Sequence, residues 1–186
     1  MHQIGGGEVA WHAIGRILIS ADDIAEEIGY YVFLHGVPDP LFAGPPGEAT
    51  AYFTVRSDPF RVRTITNGDV RATLLSPGVF KQYYNEAPRG DFADPDTFSS
   101  GELIATFSRR HAITVTTAGA VSMPVRSAQL ESSSEFTFRG RMCNVGSALP
   151  NGVTEMGSAG ATRMPGIDGF PVVLPFVWSS LAVGAR

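Results

Sequence analysis

Glycine and proline recur along the whole chain, 21 and 13 times in 186 residues, and they cut it into pieces too short for long helices. Between the breaks lie short runs rich in β-branched and aromatic residues, so the chain reads as all-β. The clearest local signal is a hairpin, in which residues 60–66 and 69–75 flank Asn67-Gly68, the pair that a type I′ turn demands.

Paired about Asn67-Gly68, that hairpin sets Ile65 opposite Val70, Arg63 opposite Ala72 and Arg61 opposite Leu74 on one face. Phe60, Val62 and Thr64 meet Leu75, Thr73 and Arg71 on the other. Neither face is purely polar or purely apolar. Residues 135–144 behave differently, with Phe136, Phe138 and Met142 on one side and Glu135, Thr137, Arg139 and Arg141 on the other. A sandwich gives clean alternation between a packed and a wet face, whereas mixed faces suit a barrel whose interior holds aromatics and a few polar groups. At any single position, an arginine stem covering apolar surface with its head in water produces the same pattern.

Further strands are expected at 49–55, 79–84, 102–109, 112–118, 125–133, 135–145 and 153–159. One short helix is expected over residues 20–28, where Ser20 can cap and Asp22, Asp23, Glu26 and Glu27 suit the positive end of the dipole. The run Tyr30 to Leu34 either follows as a strand or prolongs that helix. The fold class expected is therefore all-β: a single antiparallel barrel of about eight strands with a short N-terminal helix. Residues 1–47 form the helix and a Pro/Gly-rich loop, 48–160 the barrel, and 161–186 an apolar C-terminal tail.

A chain of this length can bury roughly 70% of its unfolded surface, and 44% hydrophobic with 17% charged residues is a composition that folds unaided. The formal net charge of −4 argues against nucleic acid as a partner. Cys143 is the only cysteine, so no intrachain disulfide forms. The N-terminus has neither a basic segment nor an apolar run before a small-residue cleavage site, and a cytoplasmic location is expected. Residues 170–183 are the most apolar stretch. They fall short of the roughly 20 residues of a membrane span and contain Pro171 and Pro175, so they are read as core or as the contact of a homo-oligomer.

No phosphate loop, dinucleotide fingerprint, nucleophile elbow or zincin motif is present, and His2, His12, His35 and His111 are scattered. Neither a metal nor a cofactor is expected. The acidic loop from Asp91 to Asp96 lacks the glycine and terminal glutamate of an EF-hand. Candidate catalytic groups are His35, at the end of an aromatic run; Tyr83, beside Tyr84, of which one points inward; and Glu102, at the start of a strand where desolvation would suit proton transfer. Each also has a plain structural role open to it. Candidate ligand walls are Tyr52, Phe53, Phe107, Phe136, Phe138 and Trp178, with Arg63 and Arg139 as polar contacts; Cys143 is read as a small apolar packing group.

The short strands, the Asn-Gly hairpin and the stretch Phe98-Ser99-Ser100-Gly101-Glu102-Leu103-Ile104-Ala105-Thr106-Phe107 resemble the barrels of the allene oxide cyclase and lipocalin-like kind, over residues 48 to 160. The resemblance implies a cofactor-free cyclase or isomerase, or a carrier, with its small, largely apolar ligand in the barrel mouth. The mixed-face strands and the absence of every cofactor motif point first to a barrel that catalyses a cofactor-independent cyclisation or isomerisation by shape and exclusion of water, and second to a non-catalytic carrier; a structural or assembly domain, with residues 170–183 docked on a partner subunit, is the reading from another class.

Overall fold

The computed structural model describes residues 3–116, 121–149, 151–160 and 163–183. Twelve strands follow one another: β1 (Val9–Ile19), β2 (Ile24–Leu34), β3 (Phe53–Ser57), β4 (Phe60–Asn67), β5 (Val70–Leu75), β6 (Gly78–Tyr84), β7 (Glu102–Thr116), β8 (Val121–Ser133), β9 (Glu135–Phe138), β10 (Arg141–Asn144), β11 (Val153–Gly160) and β12 (Val172–Ala182). Ten of them form one sheet that closes on itself through the β1–β2 and β6–β7 pairings.

The closed wall is an eight-stranded antiparallel barrel, because two of its staves are each bent into two. β3 pairs with β6 and β4 with β5, while β2 pairs with both β3 and β4 and β7 with both β5 and β6. Asp58-Pro59 and Ser76-Pro77 stand at the two bends. Proline has no N–H to give a ladder, so the two breaks fall where the wall turns a corner. Apart from β9 and β10, which pair only with each other, the chain runs up and down around the wall in sequence order.

Residues 20–28 are not helical: Ser20 Oγ accepts from the backbone N–H groups of Asp22 and Ile24, both at 3.3 Å, and so ties a tight turn between β1 and β2. Serine and aspartate cap turns as readily as helices. The alternation that would have revealed β2 is hidden because both of its faces are covered. Ala25, Glu27, Gly29 and Tyr31 are buried on one side; on the other, Ile28 and Tyr30 join Leu18, Phe98 and Val173 in a second apolar cluster outside the wall, under Phe42, Phe92, Met164, Ile167 and Phe170.

Residues 172–182 are likewise no free tail. β12 is bonded to β1 on one side and β11 on the other, so it closes the barrel. The two strands expected at 102–109 and 112–118 are one, β7, running through a bulge between Arg109 and His111; residues 117–120 and the His111 side chain lie outside the described part. The strand expected at 135–145 is a hairpin turning at Arg139-Gly140, both at positive φ. Met142 is exposed, and Cys143 packs beneath the hairpin instead.

The hairpin at residues 60–75 is present with its pairing slipped. Asn67 pairs with Val70 and Ile65 with Ala72, so the turn centres on Gly68-Asp69. Gly68 alone takes positive φ, at 62°, as the first central residue of a type II′ turn does. A slip of two leaves the two sets of side chains on opposite faces: Phe60, Val62 and Thr64 look inward, while Arg61, Arg63 and Ile65 look outward, which removes Arg63 from the interior where a ligand contact was expected of it.

Candidate functional site

The barrel interior has three storeys. One end is a solid plug of aromatics: Trp11 sits edge-on to Tyr31 and Phe107 (ring centroids 6.0 and 5.4 Å), Phe80 stacks on Phe107 at 5.0 Å, and Phe53 touches Phe136 and Phe138 of the β9–β10 hairpin. That hairpin, with Val145, Ala148 and Leu149, seals this end.

Across the waist lies a buried ionic network. Glu27 of β2 takes Nη1 of Arg126 (β8) on both carboxylate oxygens, at 2.7 and 2.6 Å, and Nη2 of Arg109 (β7) at 2.8 Å. Glu155 of β11 takes Arg126 Nε on Oε2; its Oε1 accepts from Trp11 Nε1 at 3.2 Å and from Ser180 Oγ at 2.9 Å. Two guanidiniums thus face two carboxylates, and the relative exposure of each residue is 5% or less. The arginines also lie on rings: Arg109 Cζ is 4.3 Å from the Phe60 centroid, and Arg126 Cζ is 4.1 Å from that of Trp178, which in turn stacks on Phe176. Desolvating a charge costs several kcal/mol unless it is fully paired, and each carboxylate oxygen here has a charged or N–H/O–H donor.

Burial works to raise the Glu27 carboxyl, but the Arg126 and Arg109 guanidiniums outweigh it and hold the group below its usual value. Burial, and after it the Glu155 charge, pushes the Tyr31 hydroxyl far up. Burial works to lower Arg126, yet the Glu155 and Glu27 carboxylates raise it.

Beyond the waist the other end opens into a cavity of about 270 Å³. Its walls are apolar, with Ile17, Val62, Leu75, Pro124, Leu174 and Phe176; its floor is Trp178 with Glu27, Arg126 and Glu155. Around its mouth hydroxyls pair across strands, Thr64 with Thr73 at 3.2 Å and Thr116 with Ser122 at 2.8 Å, and Asp23 stands in the β1–β2 turn. Gly15 makes room for the wall: a Cβ there would lie 2.2 Å from the Ile28 carbonyl oxygen and 2.3 Å from Phe176 Cζ.

Of the candidate residues, Trp178 lines this cavity. Phe53 and Phe107 are fully buried in the aromatic plug, and Phe136 and Phe138 belong to the hairpin that seals it. Tyr52 packs edge-on to Phe138, and the Arg139 head lies over that ring while its Nε donates to the Pro40 carbonyl. Arg63 is exposed on the outer wall. His35 is half-buried in the turn after β2, its N–H donating to the Ala10 carbonyl. Tyr83 points outward because its neighbour Gln82 points in, and Glu102 is exposed where β7 begins. None of His35, Tyr83 and Glu102 reaches the cavity.

Glu27, Arg109, Arg126 and Glu155 belong to no sequence motif that marks them as site residues. A signal existed in the alternation itself: Arg109 continues the inward line of Ala105 and Phe107, and Glu155 that of Val153 and Ala159, all buried. A charge in step with core positions marks a paired interior ion. No protein-family model, curated protein or solved structure matches this chain. Among the described residues no helix is long and apolar enough to cross a membrane, and no three metal-ligating side chains come together.

Proposed function

We propose that this barrel binds a small, largely apolar molecule through its open end. The observation that carries the reading is the cavity of about 270 Å³, with an apolar wall and a charged floor, set against an opposite end packed solid. Ligand sites combine apolar walls with a few fixed polar groups in this way. The volume is just below the roughly 300–1,000 Å³ of drug-sized sites, so the occupant is small. With both carboxylates fully engaged, the floor has no free base, which favours holding a molecule over exchanging protons with it.

A cofactor-independent isomerisation or cyclisation is the second reading, favoured by the charges fixed in a water-poor floor. Such an array can stabilise charge that develops in a rearranging ligand without reorganising.

The test uses butylbenzene, followed by the change in tryptophan emission. The binding reading expects saturable binding that Thr73→Trp, which fills the half-open mouth, weakens at least about tenfold, or 1.4 kcal/mol. No saturable signal, or one unaffected by the blocked mouth, removes the reading. Mass spectrometry and NMR of recovered ligands then separate carrier from isomerase, since an isomerase returns a compound of equal mass and altered connectivity.

A further inference from the structure

The occupant's polar end follows from how the Arg126 guanidinium is shared. Its Nε serves Glu155 and its Nη1 serves Glu27. Its Nη2 has no hydrogen-bond partner among the described residues, and it is not among the polar atoms sealed away from solvent, as Arg109 Nε and Nη1 are. Arg126 is 5% exposed and lines the cavity. A buried guanidinium fork with one unspent arm at the base of an apolar chamber is a built donor, held in place by two carboxylates and by the Trp178 ring beneath it.

We infer that Arg126 Nη2 receives a neutral acceptor oxygen of the ligand, a carbonyl or ether oxygen, and that the site discriminates against carboxylates. This rests on the binding reading above. The preference for a neutral head follows from the charge count. The positive charge of Arg126 is already matched by Glu27 and Glu155, the second guanidinium is likewise spent on Glu27, and Asp23 stands at the mouth. An anion reaching the floor meets two carboxylates with no surplus cation to answer it, and like charges at close range in a low dielectric repel strongly. A neutral oxygen suffers no such penalty. It gains a hydrogen bond from a charged donor, a type worth about 1.5–3 kcal/mol, or at least about tenfold in affinity.

Three probes of matched size test this on the intact chain: butylbenzene, butyrophenone and phenylbutyrate. At pH 7 butyrophenone should bind at least tenfold tighter than butylbenzene, and phenylbutyrate more weakly than the ketone. The stretching frequency of the ketone, carbonyl-labelled, should fall on binding. Arg126→Lys, which keeps the charge and loses the fork, should bring the ratio of butyrophenone to butylbenzene affinity down to about one, whatever it does to either affinity alone. Because that variant can fail to fold, the carbonyl frequency in the unaltered protein is an independent arbiter. Equal affinity for butylbenzene and butyrophenone, an unshifted carbonyl, or tightest binding by phenylbutyrate overturns the inference and leaves the binding reading standing. Failure of all three probes to bind overturns both.

Discussion

Glu27 concentrates the physics of this protein in one side chain. It bonds two guanidiniums from strands far apart in sequence, and removing one partner of a buried ion network leaves the other charges uncompensated, at about 3–5 kcal/mol. Glu27→Gln should therefore lower stability by that amount at pH 7, measured by urea denaturation. The folded-state value of the carboxyl lies below its ordinary 4.5, so its contribution is complete above pH 4.5 and is lost as pH falls through the lower, folded-state value. The gap between wild type and variant should accordingly narrow on acidification below 4.5; a gap constant with pH would contradict the assignment. None of this was legible from Ser20-Ala21-Asp22-Asp23-Ile24-Ala25-Glu26-Glu27, where acidic residues after a serine signal a helix start. The Arg126 and Arg109 partners that give Glu27 its role lie about a hundred residues and about eighty residues further along the chain.

Among the elements, β12 and the β1–β2 pair decide most. Because β12 bonds to strands on both sides, deleting residues 170–186 should abolish cooperative unfolding altogether, seen as loss of the thermal transition by circular dichroism; a shortened chain that keeps its transition would mean the wall closes without it. At the β1–β2 ladder, Gly15 pairs with Gly29 and the Phe176 ring occupies the space a side chain would take. Gly15→Ala should cost about 1–3 kcal/mol, as overpacking does. It should also weaken butylbenzene binding, because Phe176 is cavity wall, and calorimetry alongside titration checks both. The hairpin at residues 60–75 was readable because its turn residues are local. The residue on which the turn centres was not, since Asn67-Gly68 and Gly68-Asp69 both offer a glycine. The neighbouring ladders of β5 with β7 and β4 with β2 arbitrate between the two registers.

Taken whole, the molecule is a tube stoppered at one end by aromatics, crossed by ions and open at the other. A ligand that binds only the folded tube must stabilise it, by about 2.7 kcal/mol at a hundredfold excess over Kd. Saturating butylbenzene should thus raise the thermal midpoint of the wild type but not of Thr73→Trp, and an equal rise in both would place the ligand elsewhere. The sequence by itself determined the all-β class and the two alternating faces of the hairpin at residues 60–75. Those follow from φ preferences and a two-residue period, which act over a few residues. Which end of the tube is hollow, and which charges meet at its waist, was decided only by the tertiary structure. Closure brings strands far apart in the chain within hydrogen-bonding distance, and the worth of a buried charge depends entirely on the partner that closure gives it.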